Sequence, residues 1–195
     1  MHSVFRIAIV VLALFGAGCA HQINITPPLN TLEAKDLIKI DKVVAYYISP
    51  ANRSKEVETP GGGGDKIKYL PYQESEPAMK QVLSNLFATV VSMPSLDDKP
   101  FIVSNGVAYI FIPKIETDSA SDSAFTWPPT RFTVSLECRA VDPSGVTVWQ
   151  ATVKGQGTAE FSEFKHDMSL AARRASKDAF LRLQQEIGSA KELRQ

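Results

Sequence analysis

The chain has 195 residues, 44% of them apolar, and carries 21 basic and 21 acidic side chains. That length and apolar share suffice to bury one core in one compact domain. Balanced charge, with a pI near 6.8, leaves no basic field for nucleic acid and no acidic tail, and aromatic and β-branched residues throughout exclude bulk disorder.

Residues 1–18 differ from everything after them. They hold one charge, Arg6, and every residue from Ile7 to Phe15 is apolar. Nine such residues match the hydrophobic region of an export signal and fall well short of the roughly 20 a spanning helix needs. Gly16 and Gly18 weaken any continuation as a helix, and His21, Gln22 and Asn24 are costly in hydrocarbon. The expectation is a signal peptide over 1–18.

The end of this segment, "LFGAGC", resembles the lipobox of bacterial lipoproteins, with Ala17 and Gly18 at the small positions before the cysteine. The resemblance implies cleavage before Cys19, a diacylglycerol thioether on its sulfur and an acyl chain such as palmitate on its freed amine. It also implies the outer membrane, facing the periplasm, because Ala20 stands where an inner-membrane retention signal has Asp. Several acyl chains exceed the one-chain threshold for stable anchoring. Ordinary signal cleavage after Ala20, with Gly18 and Ala20 as the small pair, is the alternative. The second of the two cysteines, Cys138, alternates with Phe132, Val134, Leu136 and Ala140 on one face of "RFTVSLECRAV", which marks a buried structural thiol.

Residues 19–36 are mostly polar and include Pro27-Pro28, so they read as a lipidated N-terminus and tether whose "INITPPL" part can lie against the domain. The folded unit is expected over 37–190, with 191–195 as a flexible tail. "KVVAYYIS" (42–49) reads as a strand ended by Pro50. Gly61 to Gly64 lack the spacing of a phosphate loop and read as a hairpin tip between a polar strand and "KIKYL". In "EPAMKQVLSNLFATVVSM" the residues Met79, Val82, Leu83, Leu86, Phe87, Val90 and Val91 form one helical stripe. Pro77 suits its first turn and Pro94 its stop.

Asn105-Gly106 signals a turn, Val107–Ile112 a strand in the middle of a sheet, and Pro113 places the far end of that strand at an edge or bulge. A polar loop closes on Trp127-Pro128-Pro129. A hairpin follows, strand 131–141, turn "DPSG" and strand 146–160, in which Gly155 and Gly157 mark a bend, a bulge or close backbone packing. The last helix carries the stripe Met168, Ala172, Ala175, Ala179, Phe180, Leu183 and Ile187, with Asp167 as N-cap and Gly188 as stop. Its other face, Arg173, Arg174, Lys177, Asp178 and Arg182, reads as solvated.

The expected fold is therefore α+β, a mixed or mostly antiparallel sheet with two long helices packed on one face. This order, with "ITPPL" and "SNGVAYIFIPKIETD", resembles the YajG-like uncharacterised periplasmic lipoproteins, a likeness that implies anchoring and partner binding with no assigned catalysis.

The catalytic inventory is thin. His166 is the one histidine of the domain body, no cysteine–histidine cluster has metal-ligand spacing, and no serine sits in a nucleophile elbow. No catalytic residue, metal or cofactor is expected. The candidate partner-binding residues are Phe125 and Trp127 in "FTWPPTRF" and Tyr69 and Tyr72 in "YLPY". The expected role is a non-catalytic accessory of the cell envelope, held to the membrane by its N-terminal lipid, with an envelope protein or a second copy of the chain as partner and no nucleic acid. A lipid- or glycan-binding module is the alternative, and a hydrolase using His166 or paired acids is the second.

Overall fold

Helix-forming stretches here alternate with β-branched ones. A computed structural model describes residues 20–34, 38–122 and 126–195. Its elements are β1 (Ala20–Gln22), β2 (Ile40–Tyr46), α1 (Pro50–Arg53), β3 (Val57–Pro60), β4 (Lys66–Tyr69), α2 (Pro71–Leu86), β5 (Phe87–Ser92), α3 (Lys99–Asn105), β6 (Val107–Ala120), β7 (Arg131–Val141), β8 (Thr147–Thr158), α4 (Phe161–Phe164) and α5 (Leu170–Ser189).

The larger sheet has the order β5-β2-β6-β7-β8 and the smaller one β1-β4-β3. In the larger sheet β2 runs parallel to both neighbours, while β6, β7 and β8 are antiparallel. The fold is thus α+β with a mixed sheet. The long helices α2 and α5 share one core with one face of that sheet, where Met79, Val82, Leu83, Ala175, Ala179 and Phe180 meet Val44, Phe111, Val134 and Cys138. On the opposite face Ile102 of α3 closes a smaller cluster over Ala45, Met93, Ile110 and Val141.

The contact between α5 and β8 is backbone to backbone. A Cβ on Gly155 would lie 2.2 Å from the Ala175 carbonyl oxygen and 2.3 Å from the Ala179 nitrogen, and one on Gly157 would lie 2.1 Å from the Ala171 oxygen. Of the three roles open to these glycines, close packing is the one the structure uses.

β6 shows why a central strand tolerates proline. Tyr47 N–H donates to the Phe111 oxygen at 2.9 Å, and the register with β2 ends at Phe111. Pro113 faces the same side two residues later, where no β2 residue waits for its missing N–H. Ile115 comes next on that side, and its N–H donates to the Tyr72 hydroxyl at 3.1 Å.

Several elements differ from the sequence expectation. The helical stripe ends at Leu86, and Phe87, Val90 and Val91 belong to β5, paired with β2. The offsets of three and four continue through 91, but the run Thr89-Val90-Val91 is stiff at χ1 and prefers a pleated sheet. α2 also starts earlier, at Pro71, because Glu74 Oε1 accepts the Leu70 N–H at 3.0 Å, so Pro77 sits inside the helix. Asn105-Gly106 ends a helix: Asp98 Oδ1 accepts the Phe101 N–H to start α3, and Gly106 stops it at φ 60°. Met168 precedes α5 and is exposed, the position before the helix is Ser169, and Gly188 lies within it.

The N-terminal segment from Ala20 is no free tether. Ile23, Ile25 and Leu32 are buried, and β1 runs parallel to β4. The Ile25 N–H donates to Glu74 Oε2 at 2.7 Å, and Asn85 Nδ2 donates to the Leu32 oxygen at 2.7 Å. Nor are the last residues a loose tail, since Leu193 is buried and Arg194 Nη2 donates to the Gly188 oxygen at 2.8 Å. In both segments a few apolar side chains among polar ones decide the outcome, and average composition hides them.

One ion pair closes the α1 side of the core. Arg53 donates through Nε and Nη2 to the two carboxylate oxygens of Glu76, each at 2.8 Å, and Tyr46 Oη donates to Glu76 Oε1 at 3.1 Å. Hydrogen bonding to Arg53 holds the Glu76 carboxyl below its ordinary value of 4.5.

Two outcomes follow. Gly155→Ala forces α5 off β8 and lowers the urea-unfolding free energy by about 2 kcal/mol or more. Glu76→Gln costs about 1 kcal/mol at neutral pH. Because folding lowers the Glu76 pKa, the contribution of the pair is full above pH 4.5 and fades as pH falls through the folded value. Urea titrations of wild type and variant therefore converge in acid.

Candidate functional site: an aromatic groove beside the first strand

β1 delivers the first functional side chain. Its alternation leaves Ala20 and Gln22 exposed and turns His21 inward, with His21 in register with Ile67 of β4. The His21 ring stacks on Trp127, centroids 4.2 Å apart and planes 12° from parallel. Its Nε2 donates to Asp65 Oδ2 at 3.1 Å.

Asp65 and Trp127 are held in place by the four glycines. Gly61 N–H donates to the Asp65 oxygen, Asp65 N–H to the Gly62 oxygen and Gly62 N–H to the Trp127 oxygen, all between 2.8 and 3.1 Å. A Cβ on Gly62 would fall 1.7 Å from the Thr126 oxygen, and one on Gly61 2.5 Å from the Trp127 oxygen. Gly63 and Gly64 turn the chain at φ 66° and 85°. Two glycines therefore admit the 126–127 backbone and two make the turn. The hairpin tip expected from sequence is present, and it is docked.

Across from Trp127 and Pro128 stand Phe161, Phe164 and Met168, and together they line a groove of about 580 Å³. Phe161 is 65% exposed and Met168 41%. Phe161 packs edge-on against Phe164 at 5.4 Å. The short α4 is pinned by Glu163, whose two oxygens accept from Arg174 at 3.1 and 2.7 Å and whose side chain closes a capping box with Glu160. Arg174 holds the Glu163 carboxyl down at about 2. Lys165 lines the groove and has no ion-pair partner among the described residues. A smaller hollow of about 250 Å³ lies over the ends of β6, β7 and β8, walled mostly by strand residues such as Thr133 and Gln156.

The residues selected from sequence fare differently. Trp127 is half-buried, stacked on one side and open to the groove on the other. Tyr69 and Tyr72 are corrections: both are buried and serve the fold. The Tyr69 hydroxyl donates to Thr117 Oγ1 at 2.7 Å, and the Tyr72 hydroxyl takes the Ile115 N–H that no strand could. Phe125 and Cys19 lie outside the described residues. Cys138 is fully buried, and burial pushes its thiol pKa far up, which suits an inert structural group. His166 is exposed, and its ring has no hydrogen bond to a carboxylate or hydroxyl among the described residues. Sequence reasoning passed over Phe161 and read Met168 as part of the apolar stripe of the last helix. The one signal for Phe161 was its place after Glu160 with Glu163 three residues on, which brackets a short helix.

Chemically the groove offers aromatic and thioether surface with one cation, Lys165, and one carboxylate, Asp65. Among the described residues no group of three His, Cys, Asp or Glu side chains is placed to hold a metal, and no helix is long and apolar enough to cross a membrane.

The fold defines an α+β domain in which a docked N-terminal strand and an aromatic groove share one end. No family model matches the chain, and no curated protein matches it in sequence. Solved structures do resemble it. A protein described as a neuraminyllactose-binding hemagglutinin homolog from Helicobacter pylori aligns over 88% of this chain and 94% of its own, with 11% identity and a TM-score of 0.48. The PelC dodecamer from Paraburkholderia phytofirmans aligns over 77% and 91%, with 13% identity and a TM-score of 0.45. A protein described as a lipoprotein from Caulobacter crescentus aligns over 75% and 88%, with 12% identity and a TM-score of 0.39.

Gly62→Ala expels the 126–127 backbone from the glycine loop. With Trp149 replaced by Phe, the remaining Trp127 emission shifts to the red, and stability falls by about 1–3 kcal/mol. Fluorescence spectra and urea titration of the two chains check this.

Proposed function

We propose that this protein is a lipoprotein of the bacterial cell envelope, anchored through Cys19 to the outer membrane and facing the periplasm, whose domain is a non-catalytic binding component. One observation carries the reading: the "LFGAGC" motif ends one residue before β1, so the anchoring cysteine adjoins the first residue of the fold. The short apolar run of 7–15 supports export, and the aromatic and thioether walls of the groove support binding. Of the aromatic residues picked out from sequence, Trp127 keeps an open side in that groove whereas Tyr69 and Tyr72 are buried. An envelope protein and a second copy of the chain are the partners this reading allows.

A second reading is an amphiphile-binding module, favoured by the aromatic walls of the same groove.

Cells fed an alkyne-tagged palmitate test the anchor. The wild-type chain is expected to take up the tag and to partition into the detergent phase, and Cys19→Ser to do neither. A mature chain that begins at His21, or equal labelling of Cys19→Ser, overturns the proposal.

A further inference from the structure

We propose that the groove-bearing end of the domain rests on the bilayer, with Trp127, Phe161 and Met168 at the boundary between headgroups and acyl chains and Lys165 among the lipid phosphates. The inference rests on acylation of Cys19 and adds to it which face of the domain meets the membrane.

Reach is the first argument. Each residue spans at most about 3.6 Å, so the Cys19 backbone lies within about 7 Å of that of His21. The His21 ring is itself stacked on Trp127. No slack intervenes, because Ala20, His21 and Gln22 are in register with Lys66, Ile67 and Lys68, and the Ile23 N–H donates to the Lys68 oxygen at 3.1 Å. Acyl chains attached at Cys19 therefore hold this end of the domain at the headgroup layer.

Surface chemistry is the second argument. Phe161 and Met168 are large apolar side chains left exposed, and both stand here. They project from a segment fixed by the Glu163–Arg174 and Asp167–Arg173 pairs, so their exposure is built in. Those pairs also compensate Glu163 and Asp167, while Asp65, which lines the groove with Lys165, accepts a hydrogen bond from His21. Glu160, at the N-cap of α4, is exposed, and its N–H donates to Glu163 Oε2 at 3.1 Å. Lys165 is exposed at the groove with no ion-pair partner among the described residues, and its ammonium can meet a lipid phosphate. Aromatic and apolar residues beside a free lysine are the composition that lies in a membrane interface.

The test uses the full mature, acylated chain carrying Trp149→Phe, so that Trp127 is its one tryptophan. It is reconstituted in vesicles of phosphatidylethanolamine with phosphatidylglycerol, some of the lipids brominated on the acyl chains near the headgroup. Trp127 emission is expected to fall about twofold against unbrominated vesicles, with less quenching when the bromines sit near the bilayer centre. The double variant Phe161→Asp, Met168→Asp is expected to stay anchored and to lose most of that quenching. A chain that floats with the vesicles while Trp127 is not quenched overturns the inference alone; that result is the one given by a groove filled by a protein or by the anchor's own acyl chain. A chain that neither carries acyl mass nor floats overturns the anchor, and the inference with it.

Discussion

The fold depends on how low α5 sits on β8. With no side chain at Gly155 and Gly157, and only methyl groups at Ala171, Ala172, Ala175 and Ala179, the helix comes to rest on the strand backbone itself. Much of the groove end hangs from that approach. Arg173 and Arg174, at the start of α5, hold Asp167 and Glu163 and so set the angle of the Phe161–Met168 wall. Ser169 Oγ, just before the helix, accepts the Asn24 N–H at 3.1 Å and helps hold the N-terminal segment. At its far end Gly188 lies beside Leu86 of α2. A helix raised by one methyl group would loosen all of these together.

The groove is a meeting of segments distant in sequence. His21, Asp65 and Trp127 come from the first strand, the glycine hairpin and the loop before β7, and Phe161 and Met168 from the approach to α5. The stack of His21 on Trp127 joins the first strand to the loop, and the docked glycines join the loop to the small sheet. This arrangement brings apolar surface to the first strand of the fold.

Sequence alone carried the parts set by local pattern. The β7–β8 hairpin and the burial of Cys138 follow from alternation and turn residues, and they stand, whereas Gly155 and Gly157 left a bend, a bulge and close packing equally open. Where two patterns overlap, the local signal fails. Phe87, Val90 and Val91 satisfy a helical spacing, yet pairing with β2 draws them into β5. Tyr69 and Tyr72 resemble exposed anchors because "YLPY" is flanked by polar residues, but burial depends on what packs over them. The groove was least legible. Trp127 could be picked out for its size and proline neighbours, whereas Phe161 and Met168 gain their meaning only from α4 standing opposite it.

The order in which the chain is made has a consequence for its first strand. β1 hydrogen-bonds to residues 66–68 and the segment after it to Glu74 and Ser169, the last a separation of 145 residues. Contacts of that span close late in folding, since the intervening chain must exist and be positioned first. The leading segment therefore stays extended and reachable while the rest is synthesised. Whatever binds this segment before then meets an open strand, and the later arrival of α5 shuts that window.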